Sequence, residues 1–222
     1  MTAYLVPAGT TRFELYAEPP DEPSQAPPPR AGALQRWTHA LYVRWHALVD
    51  EARREHSHGR LAKLRDRMVC KLAENIAEQR TLWNLRIETS ATLLYPSTIA
   101  EDEARRILNA VLADARRHHG RWLVIDGLLT VGATVLALAP GPNLIAYYFL
   151  FRLVGHLQSW RGAIAGLDRV TWQFTPDASL AELASLVNVP REARAERVHN
   201  IAARLRLRRL SVFFDRVAVP SA

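Results

Sequence analysis

Apolar and polar residues alternate in short runs at the start of the chain, where AYLV and RFELYA flank PAGTT within residues 3–17. That alternation predicts a strand pair, with Gly9 available for positive φ in the turn. Residues 19–32, in EPPDEPSQAPPPRAG, carry six of the chain's 13 prolines, and their missing backbone donors predict an extended linker. The period then changes. Leu34, Trp37, Leu41, Trp45, Leu48 and Ala52 recur at three- and four-residue spacing, predicting a helix that HSHG closes. Leu61, Leu64, Met68, Leu72 and Ile76 predict a second helix antiparallel to it. ATLLYPS (91–97) reads as a strand limited by Pro96. Thr98 and Glu101 have capping-box spacing before a helix with Ile107, Leu108, Val111 and Leu112 that ends in RRHHGR. VTWQFTP (170–176) is another strand, Ser179 and Glu182 repeat the cap spacing, and residues 191–217 form one basic helix with an apolar face.

The expected fold is therefore mainly α with a few short β-strands (α+β), interrupted by an apolar stretch in the middle. Its segments are an N-terminal β-hairpin (1–18), the proline-rich linker (19–32), a helical region with a short strand (33–120), an apolar helical hairpin (121–160), and a strand plus basic amphipathic helix (161–222).

The apolar stretch, WLVIDGLLTVGATVLALAPGPNLIAYYFLFRLVGHL (122–157), decides most of the functional reading. Pro140-Gly141-Pro142-Asn143 forbids a continuous helix, so two limbs must fold back on each other. The first, Trp122 to Ala139, is about 27 Å long at ~1.5 Å per residue, close to the ~30 Å of hydrocarbon in a bilayer. The second, Leu144 to Leu157, is shorter. Asp126 lies near the base of one limb and Arg152 and His156 near the base of the other, so an ion pair would ease the cost of placing either charge in an apolar medium. Arg105, Arg106, Arg116, Arg117 and Arg121 precede the hairpin, and Arg161 and Arg169 follow it. Both ends then belong on the cytoplasmic side, with Trp122 and Trp160 as interface aromatics. The expectation is a hairpin inserted in, or re-entrant from, a membrane; a buried soluble core hairpin is the alternative.

Charge supports negative partners: 29 Lys+Arg stand against 22 Asp+Glu, and only Lys63 and Lys71 are lysines. Cys70, the only cysteine, excludes an internal disulfide framework and reads as a small core residue. The first residues lack the basic and apolar regions of a secretory signal.

PGPNLIAYYFLFRLVGHLQSWRGAIAGL, together with the opening YLVPAGTTRFELYAE, resembles the mitochondrial potassium–proton exchange-related family. The likeness covers the N-terminal hairpin and roughly residues 120–167. It implies a membrane-associated protein linked to monovalent-cation/proton exchange, acting as an accessory or oligomeric component. The motif positions carried over are Pro142, Asn143, Arg152, His156 and Arg161. Composition points to a bacterial-type member, hence an inner (plasma) membrane with both termini cytoplasmic; the alternative is a soluble cytoplasmic protein.

The residues that could carry chemistry are few. Asp126, Arg152 and His156 form a candidate polar cluster, with His156 one turn after Arg152 and able to relay a proton near neutral pH. The bland reading is an ion pair that fixes the hairpin register. Asn143 could coordinate a cation, although a turn asparagine more often serves left-handed backbone. Glu55, His56, His58, His118 and His119 lack zinc-site spacing and read as solvated helix ends. No phosphate loop, nucleophile elbow or zinc-protease motif is present, so no enzyme activity, metal or cofactor is expected.

At the C-terminus Arg204, Arg206, Arg208, Arg209, Phe213 and Phe214 could contact anionic lipid headgroups. Nucleic acid is a less favoured partner, because no helix-turn-helix spacing accompanies the basic residues. Two readings remain: a membrane-anchored, exchange-linked protein with a possible homo-oligomeric or transporter partner, and a soluble basic α-helical module that binds nucleic acid or protein, with 122–157 as its core.

Overall fold

The structure is a computed structural model, and it describes residues 1–18, 81–135 and 144–218, with side-chain surroundings given up to Gly132 and again from Phe149. The two helices expected over 34–76, the proline-rich linker, Cys70 and the 55–58 histidines lie outside the described residues, as do Pro140, Gly141, Pro142 and Asn143.

Alternation at the N-terminus produces β1 (Thr2–Pro7) and β2 (Phe13–Tyr16), paired antiparallel with Tyr4 opposite Tyr16 and Val6 opposite Glu14. Their turn is closed by the Ala8 and Gly9 amides, which both donate to the Arg12 carbonyl. β3 (Ser90–Pro96) lies parallel to β1, and β4 (Thr171–Asp177) parallel to β3, giving one sheet of order β2-β1-β3-β4. The strands expected over 3–17, 91–97 and 170–176 are thus present, and the mainly helical α+β class holds. Parallel neighbours need long crossovers. Between β3 and β4 the crossover is a helical hairpin, α1 (Glu101–Val135) and α2 (Leu144–Asp168). After β4 come α3 (Ala178–Ser185), α4 (Arg191–Arg204) and α5 (Leu210–Val217).

Because side chains alternate across a strand, each face of the sheet has its own core. Ala3, Leu5, Ala91, Leu93 and Tyr95 pack with Ala104, Leu108 and Leu112 of α1. Val6 and Tyr16, on the other face, pack with Leu180, Leu183, Val198, Ile201, Leu210 and Phe214 of the three C-terminal helices. The result is helical hairpin, sheet and helical cluster in three layers. Neither core includes a described residue of α1 beyond Leu112 or of α2 before Leu167. The outer part of the hairpin, about 34 Å of α1 at ~1.5 Å per residue, is outside both cores.

Four local expectations are corrected. The helix expected to end in RRHHGR runs on without a break to Val135. Gly120 does not terminate it, because that position serves close packing: a Cβ there would come within 3.3 Å of the Trp160 indole. Thr98 does not cap α1; it lies in a turn in which the Ile99 amide donates to the Pro96 carbonyl, and the helix starts after Ala100. Glu101 instead pairs with Arg105 at 3.0 Å. Ser179 does not cap α3 either, since Asp177, extended at φ −132°, accepts from the Leu180 amide at 3.0 Å. The single basic helix over 191–217 is two helices, broken at Arg206, whose φ is 56°. The break lets Leu207, Leu210 and Phe214 all reach the same core.

Candidate functional site

Leu112, His119 and Asp126 follow one another at seven-residue spacing on α1, and each is buried. Two helical turns separate each pair, so all three share the side that meets α2. On α2, His156, Ser159 and Ala163 are buried in the same seam. The antiparallel hairpin therefore sets Asp126 opposite Arg152 and His156, and sets His119 opposite His156.

The expected cluster of Asp126, Arg152 and His156 is brought together. Asp126 Oδ2 lies 3.3 Å from Arg152 Nε and 3.4 Å from His156 Nε2. On its other side His156 Nδ1 is 2.8 Å from His119 Nδ1, within a buried contact. Carboxylate, imidazole and imidazole thus form a row across the seam. Trp122 stacks on His156 with ring centres 6.2 Å apart and planes at 16°. Arg152 lies over the Trp122 ring at 5.1 Å, and His118 packs against His119 edge-on.

Electrostatics holds the two imidazoles of this row neutral near pH 7. Burial, then His156 and His118, push His119 down to about 4; burial, then Arg152 and His118, do the same to His156, also to about 4. Burial raises the Asp126 carboxyl above its ordinary value despite the opposing Arg152. Asp126 is 0% exposed, and neither of its carboxylate oxygens accepts a hydrogen bond among the described residues. A buried carboxylate this poorly satisfied is expensive and calls for a reason.

The outward face of the hairpin has the opposite character. Val124, Leu128 and Val131 are 62%, 71% and 66% exposed, and Ile125, Leu129, Leu150, Phe151 and Val154 are exposed as well. Polar groups point in and apolar groups point out, the reverse of a helix pair packed for water. Among the described residues no helix is long and apolar enough to cross a membrane.

Chemically, the row can hold two complementary hydrogen-bond arrangements that differ by one proton. With Asp126 ionised, His156 carries its proton on Nε2 toward the carboxylate, and His119 Nδ1–H donates to His156 Nδ1. With Asp126 protonated, the carboxyl donates to His156 Nε2, and His156 Nδ1–H donates to His119 Nδ1, whose proton is then on Nε2. Passing from the first state to the second takes up one proton at His119 Nε2 and places one on Asp126.

Other residues singled out in the sequence are placed differently. Trp122 is part of the cluster's wall as well as 36% exposed, and Trp160 is half-buried against Gly120. Arg161 is exposed on α2. The proposed C-terminal lipid contacts are corrected in part. Phe214 is 0% exposed within the core, and Phe213 packs on Tyr16 at 4.4 Å, so neither is free to enter lipid. Glu18 accepts from the Arg208 and Arg209 amides at 2.9 and 2.7 Å, and Arg204 pairs with Glu182, which lowers the Glu182 carboxyl's pKa. Arg206 stands at the helix break. His119 is the member that sequence reasoning missed; its seven-residue step from Leu112 to Asp126 is the signal that could have found it.

Neither the comparison with curated proteins nor that with solved structures gave a match. Residues 60–169 match a family model, and they contain β3, the whole helical hairpin and every member of the polar row. That family is described as mitochondrial K+-H+ exchange-related, and over residues 60–169 the chain is similar to it.

Proposed function

We propose that the chain is a membrane-associated, non-enzymatic component of monovalent-cation/proton exchange, whose hairpin enters one leaflet and whose Asp126–His156–His119 row moves a proton. The observation that carries this reading is the inverted polarity of α1 and α2: a buried carboxylate, arginine and two histidines inside, exposed valines and leucines outside. In a bilayer such an arrangement is favourable, because ionisable groups turn to the helix interface and apolar ones meet the acyl chains. From Trp122 to Val135 α1 advances about 21 Å, short of the ~30 Å hydrocarbon core. Entry from one side therefore fits better than crossing. Arginines at the hairpin base favour keeping that end at the headgroups, which supports a cytoplasmic side of a bacterial inner membrane for the sheet and C-terminal helices. Two helices enclose no pore, so flux requires further copies or a transporter partner.

Carbonate extraction of membranes tests the insertion directly. The wild type is retained, and Leu128→Arg is released, because Leu128 is 71% exposed and a charge there costs nothing when it faces water. Release of the wild type, or equal retention of both, overturns the reading.

A further inference from the structure

Nearer the base of the hairpin than Asp126, the surface carries a second feature. Two grooves, of about 550 and 490 Å³, meet at Trp160 and Ile164 of α2. Arg116 and Arg121 of α1 border the first, and Arg86 and Arg161 border the second. None of these four arginines makes an ion pair among the described residues. Arg86 Nε is in addition buried without a hydrogen-bond partner. Arg169, at the far end of the second groove, instead donates to the Arg86 carbonyl at 3.1 Å and fixes that wall. Gly120 is what lets the Trp160 indole lie against α1 and form the floor between the two rows of cations, since a Cβ would press on it at 3.3 Å.

Along one face of α1 the order is Arg117, Arg121, Val124, Leu128, one turn per step toward the outer end of the hairpin. Val124 and Leu128 are 62% and 71% exposed. Cations give way to apolar surface within about 6 Å of rise at ~1.5 Å per residue. Guanidinium groups take phosphate oxygens in bidentate fashion, and an indole suits the boundary between headgroup and hydrocarbon. A ligand that matches the whole gradient has a phosphate at one end and hydrocarbon at the other. A nucleic-acid backbone supplies only the first.

From this gradient we infer that the groove around Trp160 binds the phosphate headgroup of an anionic phospholipid, with the acyl chains lying along Val124 and Leu128. The inference rests on the membrane-associated reading and narrows it: hydrophobic entry alone needs no particular headgroup, whereas this site does.

Vesicle flotation separates the two. The full-length protein is mixed with vesicles of phosphatidylcholine alone and of phosphatidylcholine with phosphatidylglycerol. The wild type binds the second kind more tightly. Arg116→Gln/Arg121→Gln loses about thirtyfold of that preference, as expected for two arginines at an anionic surface, and retains its binding to phosphatidylcholine. Arg12→Gln/Arg191→Gln removes equal charge elsewhere and behaves as wild type, which excludes a general charge effect. Equal binding of wild type and groove variant to both vesicles overturns the headgroup site and leaves the membrane reading standing. Failure of the wild type to bind either vesicle overturns both. Inorganic phosphate that competes fully with phosphatidylglycerol vesicles at millimolar concentration assigns the groove to a soluble anion and overturns the lipid as its ligand.

Discussion

His119 Nδ1 and His156 Nδ1 face each other at 2.8 Å in the seam between α1 and α2, so one ring must donate and the other accept. Both rings protonated would put two N–H groups and two charges in contact. Burial and the neighbouring cations accordingly hold both at about 4. Histidines depressed in the folded protein bind fewer protons there than when unfolded, between about pH 4 and their ordinary 6.5. Stability therefore rises with pH across that window and is lost as pH falls from 6.5 toward 4. The slope is at most ~1.4 kcal/mol per pH unit for each ring kept neutral. The Asp126 carboxyl, raised rather than lowered, works in the opposite sense in the acidic part of the window. Thermal midpoints between pH 4 and 7 should show the loss, and His119→Gln/His156→Gln should flatten it; an unchanged profile in that variant would show that other groups set it.

Asp126→Asn removes the proton acceptor and leaves an amide oxygen for Arg152, 3.3 Å from the native carboxylate. Removing the charge of one member of a buried pair leaves the other uncompensated, so a cost of up to ~3–5 kcal/mol is expected, reduced to the extent that Arg152, 23% exposed, reaches water. Proton-coupled potassium flux in vesicles should fall by about a hundredfold or more, the usual worth of a positioned proton acceptor. Flux at the wild-type level with the protein present in normal amount would reduce the row to a structural ion pair.

Gly162 shows why the hairpin base is sensitive. A Cβ at this position would lie 1.7 Å from the Leu82 carbonyl oxygen, a backbone atom that has nowhere to go. Gly162→Ala should lower the urea-unfolding free energy by about 3 kcal/mol. Gly132→Ala meets nothing within 4 Å and, in an exposed helix, should raise it by ~0.5–1 kcal/mol. Equal effects of the two substitutions would contradict the packing.

Alternation at the strands was legible because each strand has one residue per face and two cores to fill: Leu5 goes to one and Val6 to the other. The facing of Asp126 with Arg152 and His156 was also legible, since counting back from the proline turn puts them at matching depth. His119 was not. Its His-Gly setting has the composition of a helix end, and only the partner helix reveals that Gly120 is there for Trp160. The same holds for the helix caps. Ser179 had the favoured spacing, but β4 delivers Asp177 to the cap position in extended geometry, and strand placement outranks a local motif. The C-terminal arginines read as one basic face because periodicity does not register a single left-handed residue such as Arg206.

Arg194 is the clearest case of a charge that looks solvated in sequence and is 2% exposed in the fold. Its guanidinium donates to the Leu186, Val187 and Ala218 carbonyls at 3.4, 3.2 and 3.0 Å. Those carbonyls follow the ends of α3 and α5, where helices leave acceptors without partners and carry partial negative charge. One planar fork thus closes two helix ends, with Asp215 Oδ1 at 3.5 Å and Phe214 beneath it at 4.9 Å. Arg194→Met keeps the bulk and removes all the donors. It should cost ~3–5 kcal/mol, the scale for breaking a buried charged network on one side. Arg194→Lys should recover only part of this, because a point ammonium cannot span carbonyls from two helices. Urea midpoints of the three proteins decide it: a loss below ~1 kcal/mol in Arg194→Met would mean that the two helix ends are satisfied without the fork, and that the C-terminal cluster is held on the sheet by its apolar core alone.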